Sequence, residues 1–215
     1  MSTETPSRKP YTGSCHCGHI RYVVHLTLPP AILTSKAPAD QTVRIRKCNC
    51  TTCHKFGYFH VRLPCAPDDF YLLSPVPATS TGDSAELADM GPEGLSVYRC
   101  FSGASAWYFC GKCGTRCFTC FGPSEVVEMD VPEGLKGVEA GTGVKVWKLR
   151  KDSKEGWREG SGGNGYFTLN AHTLEAGQDG LDLREWHEKG WILYLDCLDG
   201  VEENRFGRPL RGGLY

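Results

Sequence analysis

The chain has 215 residues and a formal net charge of −1, from 24 Lys and Arg against 25 Asp and Glu. This balance argues against a protein built mainly to bind nucleic acid or an anionic membrane, because both attract a strong positive surplus. No apolar run approaches the roughly 18 residues of a membrane-spanning helix, and the polar segment Met1–Pro10 lacks the apolar core of a secretory signal. We therefore expect a cytoplasmic protein that binds neither nucleic acid nor membrane.

Apolar residues make up 40% of the chain, which is enough for a hydrophobic core. Short segments that are rich in β-branched and aromatic residues and bounded by turn residues predict strands. In chain order they are Ile20–Leu28, Thr42–Lys47, Tyr58–Leu63, Phe70–Leu73, Ser96–Phe101, Ala106–Phe109, Val144–Leu149, Tyr166–Asn170 and Trp191–Asp196. One helix is predicted, over Leu181–Lys189. The sequence therefore predicts a mainly β protein with at most short helices.

Stretches rich in glycine, proline and serine predict three long surface loops, over Pro75–Gly94, Gly122–Gly143 and Lys151–Gly165. Loops of this length are uncommon in a compact domain unless they are functional or mobile. The two ends of the chain predict a flexible N-terminal tail over residues 1–10 and a C-terminal tail over residues 201–215. A single domain is expected between them, over residues 11–200, because the length favours one large domain over two.

The chain contains 12 cysteines, and seven of them fall in three close groups. The groups are Cys15 with Cys17, then Cys48 with Cys50 and Cys53, then Cys110 with Cys113. Disulfides rarely persist in a reducing compartment, so clustered cysteines there indicate metal ligands or catalytic thiols. Structural zinc sites place four thiolate or imidazole ligands at tetrahedral corners. The clustering therefore predicts that the chain binds zinc.

Cys110 and Cys113 form a C-x-x-C-G turn, in which the glycine permits the backbone to turn tightly. Such a turn supplies two zinc ligands and needs a second pair to close the site. Cys15 and Cys17, also followed by a glycine, offer that pair and would tie the first strand to a late one. This arrangement predicts a structural site.

Cys48, Cys50 and Cys53 lie within six residues, so one loop can place three thiolates around a second ion. Three protein ligands and an open fourth position are typical of catalytic zinc, where the open position takes water or a substrate thiolate. Spacing alone leaves three alternatives open: a different pairing of the groups, a single four-cysteine site, or cysteines that serve only as small buried apolar residues.

Charged and titratable residues flank the middle group. Arg44, Arg46, Lys47 and Lys55 are candidates to offset the negative charge of a thiolate-rich site and to bind substrate carboxylates. The alternative is that they form the solvated face of a strand. His54, directly after Cys53, is a candidate proton shuttle. His60 lies in a predicted strand and is expected to pack.

The remaining cysteines are expected to pack in the protein interior. Cys117 and Cys120 lie in Arg116–Phe121, a strand-like segment in which residues three apart face opposite sides and would not chelate one ion easily. Cys65, Cys100 and Cys197 stand alone in the sequence.

The cysteine motifs resemble the family of glutathione-dependent formaldehyde-activating enzymes, whose domain is shared with centromere protein V. The matching segments, in family order, are Gly13–Gly18 with Ile20–Tyr22, Cys48–Lys55, Tyr108–Thr115 and the late strand Phe167–Asn170. The resemblance covers residues 11–197. Phe56–Tyr58 resembles the fungal branch of that family.

The resemblance implies a tent of β-sheets around two zinc ions. It implies a structural zinc on Cys15, Cys17, Cys110 and Cys113. It implies a catalytic zinc on Cys48, Cys50 and Cys53. The family's activity is carbon–sulfur lyase chemistry, which joins glutathione and formaldehyde into S-hydroxymethylglutathione or reverses that step, so a small-molecule thiol is the expected partner.

Two other functions compete with the lyase. One is a non-catalytic, zinc-stabilised binding module, which the relation to centromere protein V allows. The other is a thiol redox protein that uses Cys117 and Cys120, which stand where the family usually has plain strand residues. The sequence leaves the oligomeric state open.

Overall fold

The structure is a computed structural model, and it describes residues 5–31, 42–78, 87–100, 103, 105–152, 154, 156–158 and 163–212. Within these ranges the protein is mainly β, with two sheets, three short α helices and two 3₁₀ segments. The helices are α1 (Thr51–Phe56), α2 (Ala66–Asp69) and α3 (Leu183–Glu188), and the 3₁₀ segments are Leu87–Glu93 and Ala171–Thr173. No helix in the described ranges is both long and apolar enough to cross a bilayer.

The first sheet has five strands in the order β1 (Ser7–Ser14), β2 (Arg21–Leu28), β5 (Phe70–Ser74), β10 (Gly141–Leu149) and β9 (Ser124–Val131). The second has eight, in the order β13 (Arg205–Phe206), β12 (Leu193–Leu195), β3 (Arg44–Cys48), β4 (Phe59–Arg62), β11 (Tyr166–Asn170), β8 (Arg116–Phe121), β7 (Ala106–Phe109) and β6 (Ser96–Arg99). Neighbouring strands are antiparallel except β12 and β3, which pair in parallel.

Aromatic side chains join the two sheets into one core. Phe70 of β5 contacts Phe167 of β11 with a ring-centroid distance of 4.4 Å and Phe118 of β8 with one of 5.4 Å. Tyr22 and Trp147 of the first sheet are almost completely buried in the same cluster. One face of the eight-stranded sheet is thereby covered by the five-stranded sheet. Cys48 and His60 lie on the other face, because they alternate along their strands with the core residues Ile45 and Val61.

The segments predicted as strands each overlap an observed strand, which confirms the mainly β class, although Phe101 lies outside the described residues. Helix α3 lies inside the predicted Leu181–Lys189. The structure adds β1, whose first half lies in the expected N-terminal tail, and it adds β13 and the buried Leu210 inside the expected C-terminal tail. Residues 1–4 and 213–215 lie outside the described residues.

The prediction of a loop over Gly122–Gly143 is wrong, because β9 and the start of β10 occupy it. β9 is an edge strand of its sheet, and edge strands carry charged side chains toward solvent, which hides the apolar signal of a strand. The predicted loop Pro75–Gly94 contains a 3₁₀ segment, with residues 79–86 outside the described part. In Lys151–Gly165, residues 153, 155 and 159–162 lie outside it.

Candidate metal centres

The structure brings the first and last cysteine groups together. The sulfurs of Cys15, Cys17, Cys110 and Cys113, which we call the cysteine quartet, all lie within 4.8 Å of one another. Cys17 Sγ is 3.6 Å from the sulfurs of both Cys15 and Cys110. Four sulfurs bound to one ion at about 2.3 Å lie about 3.8 Å apart, so the quartet fits a tetrahedral thiolate site.

Two tight turns present the quartet. The first follows β1, where the Ile20 backbone N–H donates to Cys15 Sγ at 3.2 Å and Gly18 adopts a φ of 74°. The second follows β7, where the Cys110 N–H donates to the Thr115 carbonyl at 2.9 Å and Gly114 adopts a φ of 75°. Only glycine adopts such φ values without strain, which explains why a glycine follows each cysteine pair.

The surroundings of the quartet give its thiols different pKa values. Burial raises the pKa of Cys110 to about 12. Burial acts in the same direction on Cys113, but hydrogen bonds from the Thr115 hydroxyl and backbone N–H outweigh it and lower that pKa to about 5. The quartet therefore contains a thiolate at neutral pH, which is the form that binds metal.

The middle group converges separately. The sulfurs of Cys48, Cys50 and Cys53, which we call the cysteine trio, lie within 4.8 Å of one another. Cys48 ends β3, and Cys50 is the N-cap residue of α1. The backbone N–H of Cys50 donates to Cys48 Sγ, and that of Cys53 donates to Cys50 Sγ, both at 3.4 Å. These two bonds, of which the second caps α1, hold the three sulfurs close together. Among the described residues, no fourth ligand atom joins this group.

The trio concentrates negative charge on its central residue. Hydrogen bonds from the thiols of Cys48 and Cys53 lower the pKa of Cys50 to about 2. The hydrogen bond to Cys50 is the main cause that raises the pKa of Cys48 to about 12, and the pKa of Cys53 also rises through its hydrogen bonds with the other two thiols. Three cysteine sulfurs suit a divalent ion such as Zn²⁺. Each of the two clusters could therefore hold a metal ion.

Asn49, between two residues of the trio, is buried and fully engaged. Its Nδ2 donates to Asp196 Oδ1 at 2.8 Å and to the Arg211 carbonyl at 3.1 Å. Its Oδ1 accepts from the backbone N–H groups of Cys197 and Leu198, at 2.8 and 2.9 Å. These bonds fix the turn after β3 against the segment after β12, and so hold Cys48 and Cys50 in place.

A second residue beside the trio is His60 of β4, which is 8% exposed. Its Nε2 lies 3.1 Å from Cys53 Sγ, and its Nδ1 lies 3.3 Å from Thr168 Oγ1. Burial, followed by the nearby charge of Arg62, lowers the pKa of His60 to about 3. The ring is therefore neutral at physiological pH. The sequence predicts only that His60 packs in its strand. Its contact with Cys53 Sγ is an additional finding of the structure.

Aromatic rings enclose the trio on the side of β7. Tyr58 and Trp107 belong to the same buried cluster as Cys48 and Cys53, and their ring centroids are 5.1 Å apart. The Tyr58 hydroxyl donates to the Thr168 carbonyl at 2.8 Å. This wall excludes water from one side of the cysteine sulfurs.

Strand register places arginines on the same sheet face as the trio. Arg44 pairs with Arg62, and Arg46 pairs with His60, across β3 and β4. Because alternate residues of a strand share a face, Arg44, Arg46 and Cys48 lie on one side. The Arg62 guanidinium carbon is 4.7 Å from the centre of the Tyr166 ring. The same alternation excludes Lys47 from this face.

The other residues predicted around the trio lie elsewhere. Lys47 faces the opposite side of the sheet, where its Nζ lies 4.7 Å from the centre of the Phe59 ring. His54 and Lys55 are exposed on α1, while Cys53 beside them is buried. The proton-shuttle role of His54 stays a prediction.

The five remaining cysteines fall into three sets by burial. Cys117 and Cys120 are buried in the hydrophobic core, as expected for packing residues. Cys100 is half-buried against the cluster around the trio, and Cys65 is half-buried with its Sγ 3.2 Å from Asp68 Oδ2. Cys197 is exposed, so the expectation that it packs is wrong. It lies on the surface because its segment has turned out of the sheet after β12.

No protein-family model matches the chain. Among solved structures, the crystal structure of a Rhodobacter sphaeroides protein, a structural genomics target, is similar over 86% of this chain and 99% of that chain. The two share 15% sequence identity, and the TM-score is 0.39. A similarity at this level carries no argument about function, so the functional proposal depends on the site itself.

Proposed function

We propose that this protein is a zinc-dependent carbon–sulfur lyase that acts on the adduct of a small-molecule thiol and an aldehyde. Glutathione is the expected thiol and S-hydroxymethylglutathione the expected adduct, because the cysteine motifs resemble those of the formaldehyde-activating family. In this proposal the quartet holds a structural zinc ion and the trio holds a catalytic one. The protein would act in the cytoplasm, where glutathione keeps thiols reduced.

The difference in donor number between the two clusters carries this proposal. The quartet offers four sulfurs, which complete a tetrahedral shell. The trio offers three, and no other described ligand atom joins them. A three-donor set that leaves one position for substrate is typical of catalytic zinc, whereas a purely structural role would favour four donors at both clusters.

The chemistry needs a stabilised thiolate. In the cleavage direction the adduct's hydroxyl group loses its proton, the carbon–sulfur bond breaks, and the electron pair of that bond stays on sulfur, which yields aldehyde and thiolate. Zinc bound at the trio would supply Lewis acidity and favour the thiolate form of the substrate sulfur. Asn49 holds the trio in place, Tyr58 and Trp107 shield it from water, and exposed His54 is the expected acceptor of the hydroxyl proton.

The arginine face supports an anionic thiol as substrate. Arg46 and Arg62 share the sheet face that carries Cys48, and both charges act on His60, which touches Cys53. Arginine binds carboxylates through paired hydrogen bonds. We therefore assign the carboxylates of the thiol peptide to Arg46 and Arg62. This changes the expectation from the sequence, in which Lys47 and Lys55 accompanied Arg46.

The test combines metal analysis with an exchange measurement. The purified chain should contain two zinc ions, and it should accelerate the exchange of formaldehyde between its free form and its glutathione adduct, as measured by NMR exchange spectroscopy. Cys48→Ser should retain one zinc ion and lose the acceleration. Cys65→Ser, at a half-buried cysteine outside both clusters, is the matched control and should retain both properties.

Two results would contradict the lyase. Acceleration that survives Cys48→Ser would place the chemistry away from the trio. A chain that binds two zinc ions and leaves the spontaneous exchange rate unchanged would instead support the zinc-stabilised binding module.

A further inference from the structure

His60 and Thr168 form a buried pair that leads away from the trio into the sheet. His60 lies on β4 and Thr168 on β11, which are hydrogen-bonded neighbours. Thr168 has no measurable exposure. Its hydroxyl lies 3.3 Å from His60 Nδ1 and 3.2 Å from the Val61 carbonyl oxygen. It also lies 3.4 Å from the Leu169 carbonyl oxygen, so the hydroxyl has one ring nitrogen and two carbonyls within hydrogen-bond distance.

The chemistry of a metal-bound Cys53 decides which ring nitrogen carries the proton. A thiolate accepts hydrogen bonds and donates none. His60 Nε2, at 3.1 Å from Cys53 Sγ, must then carry the N–H. A neutral imidazole has one N–H, so Nδ1 becomes an acceptor and needs a donor. The Thr168 hydroxyl can be that donor, by turning its hydrogen from the backbone carbonyls of Val61 and Leu169 to Nδ1.

The geometry separates this role from that of a fourth ligand. Atoms bound to one tetrahedral zinc ion lie within about 4 Å of one another. The three trio sulfurs all lie within 4.8 Å of one another, but neither ring nitrogen of His60 lies within 4.8 Å of all three sulfurs. The hydrogen bond of His60 to the trio is to Cys53. His60 contacts a metal ligand instead of the metal. Hydrogen-bonding partners orient metal ligands in the same way in many metalloproteins.

We propose that His60 is a positioning residue for metal at the trio: its Nε2–H donates to the Cys53 thiolate, and the Thr168 hydroxyl fixes that tautomer. The proposal rests on the proposed function only in taking the trio as metal ligands. It does not depend on lyase turnover. The hydrogen bond fixes the direction of the Cys53 side chain and withdraws charge from a sulfur in a site that already carries three thiolates.

The experiment measures metal affinity in the full-length chain. Zinc is removed and returned in the presence of a chromophoric chelator, which resolves the two sites by competition. His60→Leu removes the donor, and the affinity of one site should fall about 10- to 100-fold, the range found when such partners of metal ligands are removed. The quartet should be unaffected. His60→Gln can return an N–H near the position of Nε2, and should recover most of the lost affinity.

Two further variants sharpen the test. Thr168→Val keeps the shape of the side chain and removes the hydroxyl, so it should cause a smaller loss than His60→Leu at the same site. His25→Leu changes a half-buried histidine on β2 in the other sheet, and should leave both affinities unchanged. Circular dichroism and thermal unfolding of each zinc-loaded variant identify any that fails to fold.

Cobalt substitution adds a spectroscopic readout. A hydrogen bond to a thiolate stabilises its lone pairs, so His60→Leu should move the sulfur-to-cobalt charge-transfer band to lower energy. The ligand-field bands should keep the intensity of a tetrahedral site. Loss of a nitrogen-ligand signature from those bands would make His60 a ligand and overturn the proposal. Unchanged affinity in His60→Leu, or a His60→Gln variant as weak as His60→Leu, would also overturn it.

Discussion

The Asn49 amide and the Asp196 carboxylate form a buried hydrogen bond, with 2.8 Å between Nδ2 and Oδ1. Each side chain also accepts two backbone N–H bonds: Asn49 Oδ1 from Cys197 and Leu198, and Asp196 Oδ2 from Val201 and Glu202. The pair therefore joins the trio turn to the segment that follows β12. The position of Cys48 and Cys50 depends on a contact 147 residues away in sequence.

Asn49→Ala should destabilise the fold and loosen the trio. It leaves two backbone N–H groups, one carboxylate oxygen and the Arg211 carbonyl without their partner, and each buried polar group left unsatisfied costs about 1–3 kcal/mol. Urea denaturation should show a loss of at least about 2 kcal/mol, and chelator competition should show weaker metal binding at the trio only. Asn164→Ala, which removes a loop amide bonded to the Arg158 N–H, is the control and should leave metal affinity unchanged. Equal trio affinity in both variants would show that Asn49 does not position the trio.

Asp196 should make the free energy of unfolding depend on pH in the acidic range. Its hydrogen bond from Asn49, and then those from the backbone N–H groups of the following turn, hold its pKa well below the usual value. A carboxyl group with a lowered folded-state pKa stabilises the fold above its unfolded pKa of about 3.9, and that contribution is lost as the pH falls through the folded pKa.

The free energy of unfolding, measured from pH 5 to pH 2 on protein without added metal, should fall more steeply in the wild type than in Asp196→Asn. Asp179→Asn is the control, because Asp179 is an exposed carboxylate paired with Lys9. An Asp196→Asn slope equal to that of the wild type would remove Asp196 as a source of acid sensitivity.

Loss of a quartet ligand should have a different effect from loss of a trio ligand. The quartet joins the turn after β1 to the turn after β7, with Cys17 and Cys110 separated by 93 positions. A crosslink over a loop of about 100 residues restrains the unfolded chain by roughly 4–5 kcal/mol in the chain-entropy model, and a bound metal acts in the same direction. Cys110→Ser should therefore largely unfold.

Cys48→Ser should lose one metal ion and stay folded, because the trio ligands lie within one loop and crosslink no distant segments. Elemental analysis and urea denaturation of both variants measure the two effects. The distinction fails if Cys48→Ser unfolds as readily as Cys110→Ser.

The cysteine clusters could be predicted from the sequence because the spacing of ligands within each turn is local. The spacing of Cys110 and Cys113 is enough to predict a turn that supplies two ligands, and the three trio cysteines lie within six residues. Most strands were also visible, since β-branched and aromatic composition is local. β1 was not, because an edge strand tolerates residues such as Lys9 and Pro10 that are unfavourable inside a sheet.

The contacts that organise the trio could not be predicted, because they depend on strand register. His60 reaches Cys53 only because Arg46 pairs with His60 across β3 and β4. A shift of one residue would turn His60 toward the core and place Val61 beside the trio. The proposal that Arg62 rather than Lys47 binds the substrate carboxylate also depends on strand register. The pairing of distant strands decides which basic residues share a sheet face with Cys48.

In the proposed lyase reaction, Arg62→Gln should weaken the binding of an acidic thiol adduct without changing the chemistry. Hydrogen bonds to charged groups contribute about 1.5–3 kcal/mol, so KM for the glutathione adduct should rise roughly 10-fold or more, with little change in kcat. Lys47→Gln, on the opposite face of the sheet, should leave KM unchanged. With the formaldehyde adduct of 2-mercaptoethanol, which has no carboxylate, Arg62→Gln and the wild type should give the same KM. An equal loss on both adducts would mean that Arg62 supports the fold of the site, and a loss confined to kcat would place it at the reacting atoms.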